Sequence, residues 1–469
     1  MKFQTQIALA SACLLLFSIP RCLANNKDKR PNSLQISVNR NGRAPKIDGY
    51  LSKNEWKNAA VIFNFTQKEP REGEPVSEPT FVLITYDHKN IYFGIRCFDR
   101  EPGKIVANEM RRDSDLSNND YVEIIIDTFY DQRNAYYFAT NSLGARLDSE
   151  IKTEGAHINW DWDGIWHTSA RRDNLGWTAE VEIPFRTLRF EEGEDISWGI
   201  NFGRYIPRKR EEAYWSPISR NDDFDDYGKF KASKFGVLKG IKYQGHDKRL
   251  QIKPYAIGGL EKNFVTNRPN VLPSASDNRV TDVGLDAKVH LTSNIISDLT
   301  VNTDFAQVES DVEQVNLSRF NLFFPEKRDF FLEGLDIFNV GEESYAEPFT
   351  LLFFSRQIGL NTDPTTFETR EVPILGGVKT TGKEGSYEVG FLDVVTDDLN
   401  YTNLDTSLVT IPKTNYLSLR LKRDIFKRSY LGVMALSKDP LNGDNYNRTF
   451  AIDGFFSFDN NISLNGYVA

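Results

Sequence analysis

From Leu250 onward the chain is written in period two. Leu250-Gln251-Ile252-Lys253-Pro254-Tyr255-Ala256-Ile257-Gly258-Gly259 opens the pattern, and Val283 to Leu291 alternates apolar with small or polar residues. Ser297 to Asn302, Leu375 to Thr381, Tyr387 to Val394, Tyr416 to Lys422, Ser429 to Ala435 and Phe450 to Phe458 continue it, separated by polar turns. Successive side chains of a strand point to opposite faces, so each run offers one apolar and one polar face. A helical period does not fit these runs. Long alternating strands joined by polar turns are the signature of a transmembrane β-barrel, and soluble sandwich strands share it. No run of apolar residues after the N-terminal segment reaches the length of a spanning helix, which excludes a helical membrane protein.

The first half has a different grain. Met1 to Ala24 carries a basic start at Lys2, an apolar run from Ile7 to Ile19 and the small-residue site Cys22-Leu23-Ala24, the pattern of a secretory signal peptide. Cleavage after Ala24 leaves Cys97 as the one cysteine, so no intramolecular disulfide is available and the thiol reads as a core residue. Residues 25–34 are a polar linker. Residues 35–242 read as a β-sandwich built of short strands. Phe81 to Tyr86 and Ile91 to Ile95 form a hairpin across Asp87-His88-Lys89-Asn90, and Tyr121 to Phe129, Ala135 to Asn141, Trp177 to Phe185 and Trp198 to Tyr205 follow. Ile47-Asp48-Gly49-Tyr50-Leu51 with Asn54-Glu55-Trp56 reads as a turn leading into a short helix. Residues 245–469 form the second module, and the whole is expected to be all-β.

Charged residues make up 26% of the chain with a net charge of −9, and no basic cluster is present, which argues against a nucleic-acid partner. Five histidines with no zinc spacing, and the absence of G-x-S-x-G, H-E-x-x-H and P-loop motifs, leave no recognisable catalytic signature. Asn159-Trp160-Asp161-Trp162-Asp163-Gly164-Ile165-Trp166 places Trp160 and Trp162 on one face of an extended segment, with Trp166 able to join them. Such rings either stack on the apolar C–H face of a sugar or fill the sandwich core, and Trp215 in Tyr214-Trp215-Ser216 presents the same choice. Asp113, Asp115, Asp120 and Asp127 are dense enough to ligate a structural calcium ion, although their spacing is not that of an EF-hand; turn capping is the other reading.

One stretch obeys no simple period. Val301 to Phe338, VNTDFAQVESDVEQVNLSRFNLFFPEKRDFFLEGLDIF, sets seven phenylalanines among charges, and Pro325 ends any regular element there. This stretch closely resembles the signature of the DUF5916 proteins, bacterial chains with a domain like carbohydrate-binding module family 9 followed by an outer-membrane β-barrel. Phe354-Ser355-Arg356-Gln357-Ile358-Gly359, Gly376 to Lys383 and Leu419 to Ile425 look like barrel segments of that family. Ile47-Asp48-Gly49 with Glu55-Trp56, Tyr86-Asp87 before Ile91-Tyr92, Asp120 to Asp127, Trp177 to Phe185 and Lys234-Phe235-Gly236 resemble the binding module in order and detail.

The resemblance implies a Gram-negative outer-membrane protein whose partners are an oligo- or polysaccharide and outer-membrane lipid, or else a protein associated with glycoside hydrolysis in carbohydrate catabolism. It puts Glu123 and Asn141 on positions where sugar-binding members place polar groups. Ser117 and Lys229 stand where those members carry two clamping rings, and Ala139 where they carry an arginine. It also implies that the phenylalanine-rich segment folds into the barrel or forms a large loop. In the first case Arg319, Glu326, Lys327, Arg328 and Glu333 pair inside the lumen, because mixed charge cannot face lipid. Barrels of this kind end on an aromatic residue, so a chain ending Gly466-Tyr467-Val468-Ala469 is expected to hold an incomplete barrel.

Overall fold

The structure is a computed structural model, and it describes residues 34–222, 227–244, 250–265, 274–292, 294–302, 326, 328–341, 351–362, 369–402, 408–426, 429–442, 445–458 and 462–469. The expected signal peptide, Arg319 and Lys327 lie outside these residues. Two packed sheets account for the first module. One runs Gln35–Ser37, Gly236–Tyr243, Gly193–Ile206, Tyr121–Asp127, Ala135–Asn141, Arg146–Lys152, His157–Asn159, with Glu211–Tyr214 and Thr66–Glu69 branching from Gly193–Ile206. The other runs His167–Asp173, Gly176–Pro184, Asn90–Phe98, Thr80–Tyr86, Ala60–Ile62. Pairing is antiparallel except where Gln35–Ser37 lies parallel to Gly236–Tyr243. Alternation drives the packing. Val122, Ile124 and Ile126 from the first sheet meet Phe93, Ile95 and Val181 from the second, and Trp166, Trp177, Trp198 and Trp215 complete this core. Cys97 lies within it, fully buried, and burial pushes its thiol up to about 11.

The short helix expected around Trp56 is a series of turns instead. Glu180 explains it: its Oε2 accepts the backbone N–H of Asp48 at 2.9 Å and of Gly49 at 2.8 Å, and its Oε1 accepts Trp56 Nε1 at 3.0 Å. A buried carboxylate thus holds the segment by amides that a helix start would have aimed elsewhere.

The second module is built on one antiparallel sheet of nine strands, with two short two-stranded ribbons in its connections. Leu250–Val265, Ser274–His290, Ile295–Val301, Ile374–Glu384, Tyr387–Thr396, Thr414–Phe426, Ser429–Pro440, Asn447–Phe458 and Ile462–Val468 make the large sheet. They pair in chain order, and several are longer than the alternating runs suggested. Among the described residues the first and last strands pair on one side only, so the sheet is not closed into a barrel.

Its two faces are reversed relative to a soluble sheet. Register sets Leu285 beside Val301, Phe391 beside Leu419, Leu419 beside Ala435 and Ala435 beside Phe450. Leu285, Val301, Leu419 and Phe450 on this apolar face are exposed. On the opposite face Lys379, Thr381, Ser418, Arg420 and Asp453 are buried. Arg420 and Asp453 form a fully enclosed bidentate pair at 2.6 and 2.6 Å. Gly432 makes room for it, since a Cβ there would stand 2.4 Å from Asp453 Oδ1 and 2.5 Å from Arg420 Nη1.

Part of the aperiodic stretch lies against this charged face. A short helix, Asp329–Leu332, and a 3-10 turn, Leu335–Phe338, bring Phe330, Phe331 and Phe338 onto Ile374, Leu392, Val394 and Met434. Arg328 closes the segment's start, bonding Glu326 at 2.8 and 2.7 Å and the carbonyls of Ile358 at 2.6 Å and Ser355 at 2.9 Å.

Arg420→Met leaves Asp453 charged and without its counter-ion in an enclosed site, and is expected to destabilise the second module by about 3–5 kcal/mol in denaturant unfolding. Arg420→Met with Asp453→Leu restores most of that loss; an equally unstable double variant would show that the pair's charge is not what the site depends on.

Candidate ligand-binding face of the sandwich

The strand Tyr121–Asp127 sends Val122, Ile124 and Ile126 into the core, so Tyr121, Glu123, Ile125 and Asp127 face away from it. Cross-strand register puts Ala139 and Gly203 beside Glu123, and Tyr214 beside Gly203. Part of this outer face is covered. The turns Gly228–Phe230 and Ala232–Lys234 lay Phe230, Ala232 and Phe235 over Ile125, Tyr137, Ala139 and Ile151 as a second apolar cluster.

At the margin of that cover the polar groups converge. Glu123 Oε2 accepts from Tyr137 Oη at 2.9 Å and from Lys229 Nζ at 3.3 Å. The contact needs Gly203, where a Cβ would lie 2.5 Å from Glu123 Oε1 and 2.7 Å from the Tyr214 ring. Lys229 Nζ also stands 5.4 Å from the Tyr137 ring centroid and 5.2 Å from that of Phe230, within cation–π range. Burial works against its charge, yet the Glu123 carboxylate outweighs it and holds the ammonium well above the usual lysine range. Burial, then Glu123, pushes the Tyr137 phenol up, so it stays a hydrogen-bond donor.

Trp160 stands at the open end of this group, 43% exposed, edge-on to Tyr137 with centroids 5.8 Å apart and to Phe230 at 6.4 Å. At the other end the hydroxyl of Tyr214 donates to Glu212, which also pairs with Lys68 at 2.9 Å. Tyr121 and Tyr205, half-buried, lie beside them with centroids 5.5 Å apart. The result is a strip of aromatic rings interleaved with two carboxylates and two ammonium groups.

The singled-out residues divide between two faces. Glu123 and Trp160 share the outer face with Lys229 and Ala139. Trp166 and Trp215 are buried in the inter-sheet core, and Trp162 packs against it, tilted on Tyr136 at 5.0 Å. Asn141 is fully buried: its Oδ1 accepts from the amides of Leu143 and Ala145, and its Nδ2 donates to Glu109 O at 2.7 Å. Ser117 is held in an exposed turn by Asp115, which accepts its amide at 2.8 Å and its hydroxyl at 2.7 Å. The other three aspartates are engaged separately. Asp113 faces Arg112 at 3.3 Å, Asp120 accepts Val106 N at 2.7 Å, and Asp127 accepts the amides of Asp131 and Gln132. Among the described residues no three His, Cys, Asp or Glu side chains are grouped to hold a metal ion.

Tyr137, Tyr205, Glu212 and Lys68 escaped the sequence reading. Tyr137 was findable, since period two puts it on the face of Ala139 and Asn141. Glu212 and Lys68 reach the site only because Glu211–Tyr214 pairs with Thr66–Glu69 across a bulge.

Asp148 holds the tryptophan segment in place. Fully buried, it accepts Trp166 Nε1 at 3.0 Å, Gly164 N at 2.6 Å and Arg112 Nη2 at 2.8 Å. Burial pushes its carboxyl up to about 6 despite these donors. The folded state therefore takes up a proton between about pH 6 and 4 that the unfolded chain does not, and stability from this group falls as pH rises through that window. Relative to Asp148→Asn, the wild-type sandwich is expected to gain about 2 kcal/mol between pH 7 and 4 in fluorescence-monitored unfolding. A pH-independent difference between the two proteins would contradict this assignment.

Comparison with known proteins finds that residues 247–434, within the second module, match the family described as Domain of unknown function (DUF5916). No curated protein matches the chain. Among solved structures, a carbohydrate binding module family 9 from Caldicellulosiruptor kristjanssonii, in complex with cellotriose, matches at 17% identity and a TM-score of 0.31, covering 46% of this chain and 95% of its own. A Bacteroides uniformis protein provisionally described as carbohydrate-binding matches at 13% identity and a TM-score of 0.36, covering 45% of this chain and all of its own.

Proposed function

We propose that this chain is an outer-membrane protein of a Gram-negative bacterium, in which the DUF5916 module forms barrel wall and the sandwich captures glycan-derived ligands for binding or passage. The observation that carries the reading is the reversed polarity of the nine-stranded sheet. Its charged face is buried and paired, while its opposite face exposes Leu285, Val301, Leu419 and Phe450. In water that arrangement loses the hydrophobic contribution of every outward apolar side chain; against hydrocarbon it does not. No helix among the described residues is long and apolar enough to cross a membrane, so strands would do the crossing. The leader expected at Met1–Ala24 fits export.

The capture role rests on the outer face of the sandwich. Trp160 supplies an accessible aromatic surface for the C–H face of a sugar ring. Lys229 supplies a donor for hydroxyls, held in place by the buried Glu123 and Tyr137, and Tyr121 and Tyr205 extend the apolar floor. Lys229, where the resemblance implies a clamping ring, ties Glu123 down, so a single stacked ring with a polar anchor is the mode this face supports.

Two measurements test the reading. Titration of detergent-solubilised full chain with a glycan panel that includes cello-oligosaccharides should show saturable binding, weakened at least about tenfold by Trp160→Ala, the scale of losing one stacked aromatic. No binding across the panel by a folded protein would remove the capture role. Leu419→Arg should cost about 2–4 kcal/mol in vesicles, as for charge on a lipid-facing strand. A change within about 0.5 kcal/mol, typical of a water-exposed site, would remove the membrane role.

A further inference from the structure

The connections of the nine-stranded sheet are sorted by length. At one end the strands are joined by 291–294, 385–386, 427–428 and 459–461; at the other by 266–273, 302–373, 397–413 and 441–446. The sandwich joins at the first end, through 244–249 into Leu250–Val265. Its contacts with the sheet are at that end too. Lys383, next to last in Ile374–Glu384, pairs with Asp131 of the sandwich at 2.8 Å and with Asp424 of the neighbouring wall at 2.8 Å. Arg133 of the sandwich reaches Asp424 at 3.3 Å and lies over the Tyr430 ring at 4.9 Å.

Two further pairs tie the sandwich to the inward-folded segment. Arg189 bonds Glu333 at 2.6 Å, and Lys152 pairs with Asp336 at 3.5 Å. All the strand residues in these contacts belong to the charged face. The seam is neither dry nor apolar. Two openings with water-sized space remain in it, sharing Asn134, Lys152 and Glu388 in their linings. Glu150 Oε2, which lines the larger, has no hydrogen-bond partner among the described residues.

We infer that the sandwich sits on the periplasmic side of the outer membrane, seated in the mouth of the barrel lumen by ion pairs centred on Lys383. This rests on the membrane reading above. Outer-membrane barrels place short turns in the periplasm and long loops outside, which orients the sheet. The charged face is the lumenal one, and the sandwich touches that face alone among the contacts described, at the short-turn end. A polar seam with water-sized space is that of two bodies docked together rather than merged in one core, since a merged core would have excluded both charge and cavity. Glycan captured by the sandwich would then arrive from within the periplasm or through the lumen, not directly from the medium.

Single cysteines introduced into the full chain in cells test the placement, with the unsubstituted protein as background. Leu175→Cys lies on an exposed sandwich turn and Leu408→Cys on a long connection, and both positions are exposed. With a membrane-impermeant maleimide, L408C should label in intact cells and L175C only after the outer membrane is permeabilised. Labelling of L175C in intact cells overturns the inference while leaving the membrane reading standing. Failure of the chain to fractionate with the outer membrane defeats the membrane reading itself.

Seating is read at His157→Cys, half-buried beside the smaller cavity. After permeabilisation, Lys383→Glu should raise its labelling rate several-fold and Asp131→Lys in addition should lower it again. Asp131→Asn, which removes one partner of Lys383, should give a smaller rise if K383E does not accumulate. Unchanged rates in both K383E and D131N would show that these ion pairs do not hold the sandwich in place.

Discussion

A strand must present its residues alternately to two faces, and everything in this chain follows from what each face meets. In the first module the apolar faces of two sheets meet each other, and four tryptophans, a cysteine and many β-branched residues fill the space between. In the second, among the described residues, the nine-stranded sheet has no partner for its apolar face, and its polar face is the buried one. The same local alternation thus gives two opposite polarities. In the proposed outer membrane, the second polarity would be the favourable one.

Burying a charged face demands that its charges be matched. Arg420 with Asp453, Arg328 with Glu326, and Lys379 near Asp298 at 3.4 Å do this within the second module. The pairing spills over the edge of the sheet. Lys383 and Asp424 take partners from the sandwich, and Glu333 is shared between Arg189 of the sandwich and Lys288 of the sheet. Unpaired buried charge is far more costly than paired charge, so these contacts couple the position of the sandwich to the integrity of the charged face. The phenylalanines of the inward segment have a related role, covering apolar residues that interrupt the charged face.

On the outer face of the sandwich, polar groups from distant parts of the chain are drawn together. Glu123 keeps its place opposite Ala139, but Lys229 reaches it where the resemblance would have set a ring. Trp160, exposed and edge-on to the buried Tyr137, supplies aromatic surface from elsewhere, and Gly203 gives Glu123 and Tyr214 room to approach. The Asp148 anchor matters here because it fixes Gly164 and Trp166, and so the segment from which Trp160 projects.

The amino-acid order alone determined that this is an all-β chain of two grains, because period two is a property of neighbouring residues and needs no partner to be read. It also marked Phe81 to Tyr86 and Tyr121 to Phe129 as strands, Cys97 as a core residue, and the stretch from Val301 to Phe338 as something without a simple period. Tertiary structure decided which face each residue met. Alternation puts Trp160 and Trp162 on one side only in a straight strand; the turn after Asn159 and the pull of Asp148 send Trp162 to the core and leave Trp160 outside. Asn141 looked available until the surrounding turn used all its hydrogen bonds. Lys68, Glu212 and Lys229 join Glu123 and Tyr214 from distant parts of the chain, and Lys383 meets Asp131 across 252 residues. Contacts at that separation depend on how strands pair and sheets pack, which no local pattern encodes.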